Sequence, residues 1–212
     1  MRAEEALAAL IKKRFFMLKT KSLKEIIQIP KELKTTGGRP DWDNFFMAAA
    51  YFISTRSSCS DRMTGAVIVK DKAIIATGFN GAPRGIKDCL QQGNCIRQNR
   101  DKSLGKDYHN CYAAHAEVNA LANNAFMGGV STKGAFLYTT VYPCTDCARQ
   151  IINAGIVKIF YAEKLPNDNG LADKFFTEAK IDCQKVDKEK VAEVMYRAIE
   201  HLILRDEEGK IV

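Results

Sequence analysis

Long apolar segments are missing from this chain of 212 residues. Its longest mostly apolar stretch, FFMAAAYFI at 45–53, is far shorter than the roughly 20 residues that a helix needs to cross a bilayer. The first residues, MRAEEALAALIKKR, carry acidic side chains inside their apolar stretch and lack the separate regions of a signal peptide. The sequence therefore predicts a cytoplasmic protein that has no membrane partner.

Histidine is scarce as well, with three in the chain, whereas there are seven cysteines. Because the cytosol keeps thiols reduced, these cysteines are more typical of metal ligands or free thiols than of disulfides. The formal net charge of +7 suits an anionic partner, either a nucleotide or a nucleic acid. Scattered Lys and Arg side chains are nevertheless more often a solvated surface, so the charge alone does not choose between these classes.

The hydrophobic pattern divides the chain into two parts. Residues 1–38 carry apolar side chains at a helical spacing, and the segment KTTGGRP then breaks the pattern. We interpret residues 1–38 as a helical N-terminal extension that serves packing or oligomerisation. Residues 39–212 are long enough for one catalytic or binding domain.

Helical and strand patterns alternate along residues 39–212. A helix follows the N-cap Asp41, and TGAVIVK and AIIATGF form a hairpin. A second helix covers AAHAEVNALANNAF, and a strand, a helix and a strand follow as AFLYTTVYP, TDCARQIINAG and IVKIFYA. Two more helices enclose the fifth strand KIDCQKV. This order predicts an α/β fold with a mixed sheet of about five strands, including one βαβ unit.

The segments HAE at 115–117 and PCTDC at 143–147 combine residue types that bind zinc. A catalytic zinc takes three protein ligands and keeps a fourth position for water, and His115, Cys144 and Cys147 supply such a set. The two cysteines are three residues apart at the start of a predicted helix, which brings both sulfurs to one point. The exposed N–H groups of that helix N-terminus favour thiolates over thiols.

Glu117 follows His115 too closely for both to bind one metal easily, yet one helical turn aims its carboxylate at a metal-bound water. A carboxylate in that place takes a proton from the water and passes it to a leaving group. Alone, a CxxC pair is also a structural half-site, a redox pair or a chance match, and a lone histidine is usually structural. The ordered combination, with PCxxC directly after a strand, is far more specific.

These motifs, with TGAVIV, GFNGAPRG, HAEVNAL and YPCTDCARQIINAGI, resemble the zinc-dependent cytidine deaminase superfamily. Over about residues 41–180 the chain is similar to the deoxycytidylate (dCMP) deaminases of the phage and late-competence types. Asn119 and the NG pair after the second strand favour this branch over the tRNA adenosine deaminases. His115 separates it from free-cytidine deaminases, which commonly have Cys there. The resemblance implies a three-layer α-β-α cytidine-deaminase-like fold.

The resemblance also implies an activity and its residues. The enzyme would hydrolyse dCMP to dUMP and ammonia through a zinc-bound hydroxide, with Glu117 as the catalytic residue, and supply dUMP for thymidylate synthesis. In the family the Asn of the NG loop helps to hold the sugar. Related enzymes are homo-oligomers, commonly hexamers, that dCTP and dTTP regulate, so the resemblance implies a homo-oligomer with these effectors. The expected substrate-binding residues are Asn80, Gly81 and Ala116, with Arg84 and Lys87 available for the phosphate.

Two departures from the family pattern affect the expected base or phosphate contacts, and alternatives to dCMP deamination stay open. Thr64 stands where the family often has Val, and AEKLPND follows the last parallel strand where many members carry an aromatic residue. The alternatives are a deaminase of another cytosine nucleotide such as dCTP, a deaminase of a base in tRNA or single-stranded DNA, and a non-catalytic zinc module. The chain shows no strip of aromatic and basic residues for stacked bases, and a non-catalytic module would not need Glu117.

The cysteines between the first helix and the HAE motif predict a second, structural zinc. The loop between Cys95 and Cys111 has about 15 residues, and loops of that length are usually functional or disordered unless something holds them. A tetrahedral zinc would hold it, and phage and competence-type relatives resemble this chain in carrying a second zinc here. Buried thiols are the alternative. The candidate ligands are Cys59, Cys89 and Cys111, completed by Cys95 or His109.

Overall fold

The structure, a computed structural model, describes residues 39–95, 111–165 and 170–203, with side chains up to residue 199. The predicted N-terminal extension at 1–38 and His109 lie outside the described residues, so both stay predictions. Within the described ranges the chain forms one five-stranded sheet and six helices. None of these helices combines the length and the apolar character that a membrane span requires.

The structure confirms the predicted mixed sheet of about five strands. The strands are β1 (Gly65–Lys70), β2 (Ala73–Phe79), β3 (Phe136–Val141), β4 (Lys158–Glu163) and β5 (Asp182–Lys185). Their order across the sheet is β2-β1-β3-β4-β5. Strand β1 is antiparallel to β2 and β3, whereas β3, β4 and β5 run parallel. The start of β1 and the ends of β2, β3 and β4 therefore share one edge of the sheet.

A two-residue turn joins β1 to β2 and confirms the predicted hairpin. Asp71 and Lys72 have φ angles of 51° and 61°, and positive φ at both central residues is the pattern of a type I′ turn. Neither residue is glycine, so the pairing of the strands offsets the backbone strain of this turn.

Six helices flank the sheet. They are α1 (Trp42–Ser54), α2 (Cys89–Gln92), α3 (Ala116–Phe126), α4 (Thr145–Asn153), α5 (Leu171–Glu178) and α6 (Lys188–Ile203). As predicted, Asp41 caps α1, and its carboxylate accepts the Asn44 N–H at 2.9 Å. The short helix α2 was not predicted, although Asp88 and Gln91 form a capping box that the sequence contains.

Alternating side chains of the strands build two hydrophobic cores, one on each face of the sheet. On one face Val67 and Tyr138 pack with Phe46 and Met47 of α1, and Val191 of α6 joins them. The other face carries α3, α4 and α5, whose buried side chains cover the strands. They include Ala116, Ala120, Ala148, Ile151 and Phe176, packed on Ile68, Leu137 and Ile159. The predicted three-layer α-β-α fold is confirmed.

Candidate active site

Two helix N-termini meet at the shared edge of the sheet. His115 is the N-cap of α3 and Cys144 is the N-cap of α4, and neither makes a side-chain capping hydrogen bond. The first N–H groups of a helix have no intrahelical partners and carry a partial positive charge. The helices therefore direct a favourable potential for anions toward the space between these two residues.

A glycine in β2 allows α3 to lie close to the sheet. A Cβ at Gly78 would be 2.2 Å from the Ala116 carbonyl oxygen and 2.3 Å from the Ala120 nitrogen. Any side chain at Gly78 would consequently push the helix away. This contact sets the distance between the first turn of α3 and the sheet, and with it the position of His115.

The structure brings His115, Cys144 and Cys147 together, with their ligand atoms within 4.8 Å of one another. The Nδ1 atom of His115 is 3.3 Å from the Cys147 sulfur and 3.4 Å from the Cys144 sulfur. His115 is exposed, Cys144 is half-buried and Cys147 is buried, so the cluster is open to solvent on one side. One imidazole and two sulfurs with an accessible side match the ligand set of a catalytic zinc.

The contacts inside this cluster shift its pKa values. Hydrogen bonding to Cys144 raises the pKa of His115 to about 9. The hydrogen bond with Cys147 lowers the pKa of the Cys144 thiol to about 3 and raises that of Cys147, whose burial adds to the effect. The two sulfurs thus titrate as a pair in which Cys144 loses its proton first. One thiolate is available to a cation at neutral pH.

Glu117 places a carboxylate beside the cluster. It is the second residue of α3 and is 6% exposed, and its Oε2 is 3.7 Å from the Cys147 sulfur. Burial raises the pKa of this carboxyl, and the neighbouring His115 opposes the rise. A buried carboxyl with a raised pKa is the kind of group that accepts and releases protons in catalysis.

The NG loop after β2 is attached to the segment that precedes His115. The Gly81 N–H donates to the Ala114 carbonyl at 3.2 Å, and the Ala114 N–H donates back at 2.9 Å. Asn119 of α3 secures the same loop through its side-chain N–H, which donates to the Phe79 carbonyl at 2.8 Å. The predicted substrate residues Asn80, Gly81 and Ala116 are all buried in this region.

The Asn80 side chain holds two loops together. Its Oδ1 accepts from the Ser57 hydroxyl at 2.6 Å and from the Thr64 N–H at 2.8 Å, while its Nδ2 donates to the Arg62 carbonyl at 2.8 Å. Sequence reasoning missed Ser57, because a partner 23 residues away leaves no local pattern. Ser57 and Asn80 together orient the amide at the edge of the candidate site.

The two predicted phosphate ligands, Arg84 and Lys87, have different surroundings. The Arg84 guanidinium donates to Asn123 Oδ1 at 2.7 Å and lies 4.4 Å from the centre of the Phe126 ring. Asn123 follows Ala116 by about two turns, or roughly 10 Å of helix rise. Arg84 is therefore bound near the far end of α3, and Lys87 is exposed on the loop before α2.

The cysteines predicted for a second zinc form a looser group. Cys89 and Cys95 are buried, whereas Cys59 and Cys111 are half-buried. Burial raises the pKa of Cys89, and the other three cysteines lie near enough to raise it further. Within the described ranges, however, His115, Cys144 and Cys147 are the one cluster of three or more potential metal ligands at close distance. His109 lies outside these ranges.

Comparison with known proteins agrees with this geometry. Residues 40–163 match the model of the family described as "Cytidine and deoxycytidylate deaminase zinc-binding region". ComE operon protein 2 of Bacillus subtilis is 36% identical over 149 residues, which cover 70% of this chain and 73% of that protein. The deoxycytidylate deaminase of Schizosaccharomyces pombe is 40% identical over 125 residues, 58% of this chain. That match spans 37% of the length of the yeast protein.

Solved structures show the same architecture. The dCMP deaminase of cyanophage S-TIM5, in complex with dCMP and dUMP, superposes with a TM-score of 0.56 at 26% identity. The superposition covers 70% of this chain and 99% of the phage chain. Since the family match covers both the HAE and the PCTDC segments, at the place where the structure gathers the potential ligands, the chain belongs to the cytidine and deoxycytidylate deaminase zinc-binding family.

Proposed function

We propose that this chain is a zinc-dependent hydrolase that converts dCMP and water to dUMP and ammonia. The observation that carries the proposal is the buried Glu117 carboxylate beside the cluster of His115, Cys144 and Cys147. The names of similar proteins support the substrate: the yeast relative is a deoxycytidylate deaminase, and the cyanophage structure contains dCMP and dUMP.

Zinc fits the three potential ligands. One imidazole and two thiolates are ligands that zinc prefers, and three protein ligands leave one position for water. The free helix N-termini at His115 and Cys144 favour the thiolate form that binding requires. When bound, zinc lowers the pKa of a water molecule to about 7 and so supplies the nucleophile for hydrolysis.

Glu117 moves the protons of this reaction. In hydrolytic deamination a C–O bond forms at ring carbon 4 of cytosine, and the bond from that carbon to the amine nitrogen breaks. Glu117 takes one proton from the attacking water and delivers it to the ring nitrogen. It then takes the second proton from the hydroxyl group on carbon 4 and passes it to the amine, which leaves as ammonia while the carbonyl forms. Glu117 is not one of the three proposed ligands, so its carboxylate stays available for these transfers.

The NG loop holds the sugar in this proposal. Asn80 Oδ1 already accepts two hydrogen bonds, and of its two amide hydrogens one is donated to Arg62 within the described residues. The other amide hydrogen is the one that a sugar hydroxyl would accept. Gly81 and Ala116 remain predicted neighbours of the substrate.

The phosphate contacts remain predictions as well. Arg84 would have to leave Asn123 and Phe126 before it could reach a nucleotide at the N-terminus of α3. Lys87 has an exposed side chain and needs no such release. A phosphate ligand from elsewhere on the sheet edge is compatible with the same reaction.

We also propose a second, structural zinc held by cysteines of the Cys59, Cys89, Cys95 and Cys111 group, with His109 as a further candidate. The proximity of Cys59, Cys95 and Cys111 to Cys89 supports this site. A structural zinc contributes on the order of 10 kcal/mol to folding, so Cys89→Ser should give unstable protein. Metal analysis of protein purified without chelator should give two zincs per chain. A value of one would contradict the second site and leave the first in place.

The remaining features of the family are proposals for this chain. They are a homo-oligomer, commonly a hexamer, regulation by dCTP and dTTP, a cytoplasmic location, and supply of dUMP for thymidylate synthesis. Gel filtration with light scattering, with and without dCTP or dTTP, tests the first two of these.

Ammonia release from dCMP, dCTP, dCDP, deoxycytidine, CMP and a cytosine-containing DNA oligonucleotide tests the activity. We expect dCMP to give the highest kcat/KM, and deoxycytidine to be at least about a hundredfold poorer, because it leaves phosphate-binding donors unpaired. Equal kcat/KM for dCMP and deoxycytidine would contradict the proposal. Turnover of dCTP or of the oligonucleotide without turnover of dCMP would replace it with one of the alternatives. Glu117→Gln serves as the inactive control.

A further inference from the structure

Tyr142 lies between β3 and the proposed ligand Cys144. It follows the last residue of β3, and the fully buried Pro143 links it to Cys144, the N-cap of α4. Proline has a fixed φ angle, so little backbone freedom separates the position of Tyr142 from that of the Cys144 sulfur. Whatever fixes Tyr142 also fixes this turn.

Three kinds of contact fix Tyr142. Its backbone N–H donates to the Glu163 carbonyl at 2.6 Å, which extends the pairing of β3 with β4. Its ring makes edge contacts with Tyr161 and Phe176, with centroids 4.8 Å and 6.0 Å away. Its hydroxyl donates to Asp173 Oδ1 at 2.7 Å. The ring contact with Phe176 and the hydroxyl bond to Asp173 both tie the turn to α5, and the hydroxyl bond is the directional one.

Asp173 lies in the first turn of α5 and receives two partners. Lys164, directly after β4, donates to both carboxylate oxygens at 2.8 Å and 2.6 Å, and its ammonium lies 4.4 Å from the centre of the Tyr142 ring. The bond from Lys164 and that from Tyr142 lower the pKa of the Asp173 carboxyl. Asp173 therefore stays ionised at neutral pH and holds the ends of β3 and β4 on α5.

We propose that Tyr142 and Asp173 are positioning residues for the proposed zinc site: their hydrogen bond fixes the turn that carries Cys144 and slows the loss of zinc. This inference rests on the zinc-dependent function proposed above. Neither side chain is offered as a ligand or as a group that contacts the substrate. Lys164 supports the Tyr142–Asp173 hydrogen bond through its ion pair with Asp173. Because the Lys164 side chain is 40% exposed, this ion pair contributes less than the hydrogen bond does.

The test is the rate at which the purified holoprotein releases zinc to a chromogenic chelator. Tyr142→Phe keeps the ring and removes only the hydroxyl, and Asp173→Asn keeps an oxygen acceptor but loses the charge. Loss of a group that orients a metal ligand costs about 10 to 100-fold in metal affinity. At the low end of that range we expect about tenfold faster zinc release for Tyr142→Phe and a smaller change for Asp173→Asn.

Glu178→Gln is the matched control, because it removes an exposed ion pair with Lys174 on the same helix. Cys144→Ser reports any zinc bound elsewhere, and its signal is subtracted. Urea unfolding of both substitutions in the Cys144→Ser background, which lacks the zinc at this site and keeps any second zinc, measures the effect on the fold itself. The proposal would be overturned if Tyr142→Phe released zinc within twofold of the wild-type rate. It would also be overturned if the change in release rate among the variants only followed their urea midpoints.

The outcome is separable from that of the proposed function. A wild-type chain that retains zinc through Cys144 but deaminates no nucleotide would refute the enzyme, while faster zinc release from Tyr142→Phe would still support the positioning role. A wild-type chain that binds no zinc through Cys144 would refute both. In active protein, the KM for dCMP should stay within twofold in Tyr142→Phe while kcat falls.

Discussion

Replacement of Ser57 by alanine tests how strongly the candidate site depends on the loop before β1. The Ser57 hydroxyl donates toward the Asn80 backbone oxygen at 2.9 Å and toward Asn80 Oδ1 at 2.6 Å, and it accepts the Cys59 N–H at 3.2 Å. Ser57 is 8% exposed and Asn80 is 7% exposed, so water does not readily replace the lost hydroxyl. The Thr64 N–H still donates to the Asn80 amide, so the loss is partial.

The expected loss of stability follows from these contacts. A buried donor or acceptor left without a partner costs about 1–3 kcal/mol. For a chain of this size, one kcal/mol shifts Tm by about 2–4 °C, so Ser57→Ala should melt about 2–12 °C below the wild type. The Asn80 amide, which we propose to bind the sugar, also loses one of the bonds that orient it, so KM for dCMP should rise by more than kcat falls.

Thr55→Ala is the matched control for this experiment. The Thr55 hydroxyl also donates to a backbone carbonyl, that of Phe52 at 2.7 Å, but the residue is exposed. Surface substitutions of this kind stay within about 0.5 kcal/mol, so its Tm should move by no more than about 2 °C. Differential scanning calorimetry and steady-state ammonia release measure both variants. If Ser57→Ala melted like Thr55→Ala with unchanged KM, the role assigned to the Ser57–Asn80 contact would be refuted.

Three further predictions concern the proposed catalytic carboxylate of Glu117, the packing of α3 and the dependence on pH. Glu117→Gln should retain zinc and lower kcat by at least about 10²-fold, since general acid–base catalysis contributes about 10²–10⁴-fold; activity above a tenth of wild type with full zinc content would refute the mechanism. Gly78→Ala should lower Tm and expel zinc, because its Cβ would clash with Ala116; a wild-type melting curve would contradict the close packing. The hydrogen bond from Lys188 lowers the pKa of the Glu163 carboxyl in the folded protein. The ionised Glu163 therefore stabilises the fold at pH values above the pKa of Glu in the unfolded chain, and this stabilisation is lost as the pH falls through the pKa of Glu163 in the folded chain. Urea unfolding should therefore separate Glu163→Gln from the wild type near pH 7 and not in more acidic solution.

Local signals account for the parts of the fold that the sequence predicted. Asp41 as an N-cap, the alternation of β1 and β2, and the strand before PCTDC are written within a few residues each, so their patterns suffice. The proposed zinc ligands could also be predicted from local patterns, because zinc binds residue types that are uncommon at such spacing elsewhere. His115 and Cys144 are 29 residues apart, yet each stands in a short recognisable motif.

Long-range contacts account for the rest. The hydrogen bonds of Ser57 to Asn80 and of Tyr142 to Asp173 join residues that are 23 and 31 positions apart. No local sequence pattern at any of these four residues indicates which residue it contacts. The placement of Arg84 on Asn123 likewise depends on how the NG loop crosses α3, 39 residues later in the chain. The helix α2 was a different kind of omission, since its capping box was present at Asp88 and Gln91.

The antiparallel pairing of β1 with β3 also has a consequence for when the proposed metal site forms during folding. The Gly65 N–H donates to the Thr140 hydroxyl across 75 residues of chain, and His115 and Cys144 lie on opposite sides of this closure. Contacts at such separation form slowly, so we expect the ligands to converge only after the rate-limiting step. Zinc should then leave the refolding rate unchanged and slow unfolding. The zinc at this site would determine how long each folded molecule survives, and protein without zinc at this site would fold just as fast.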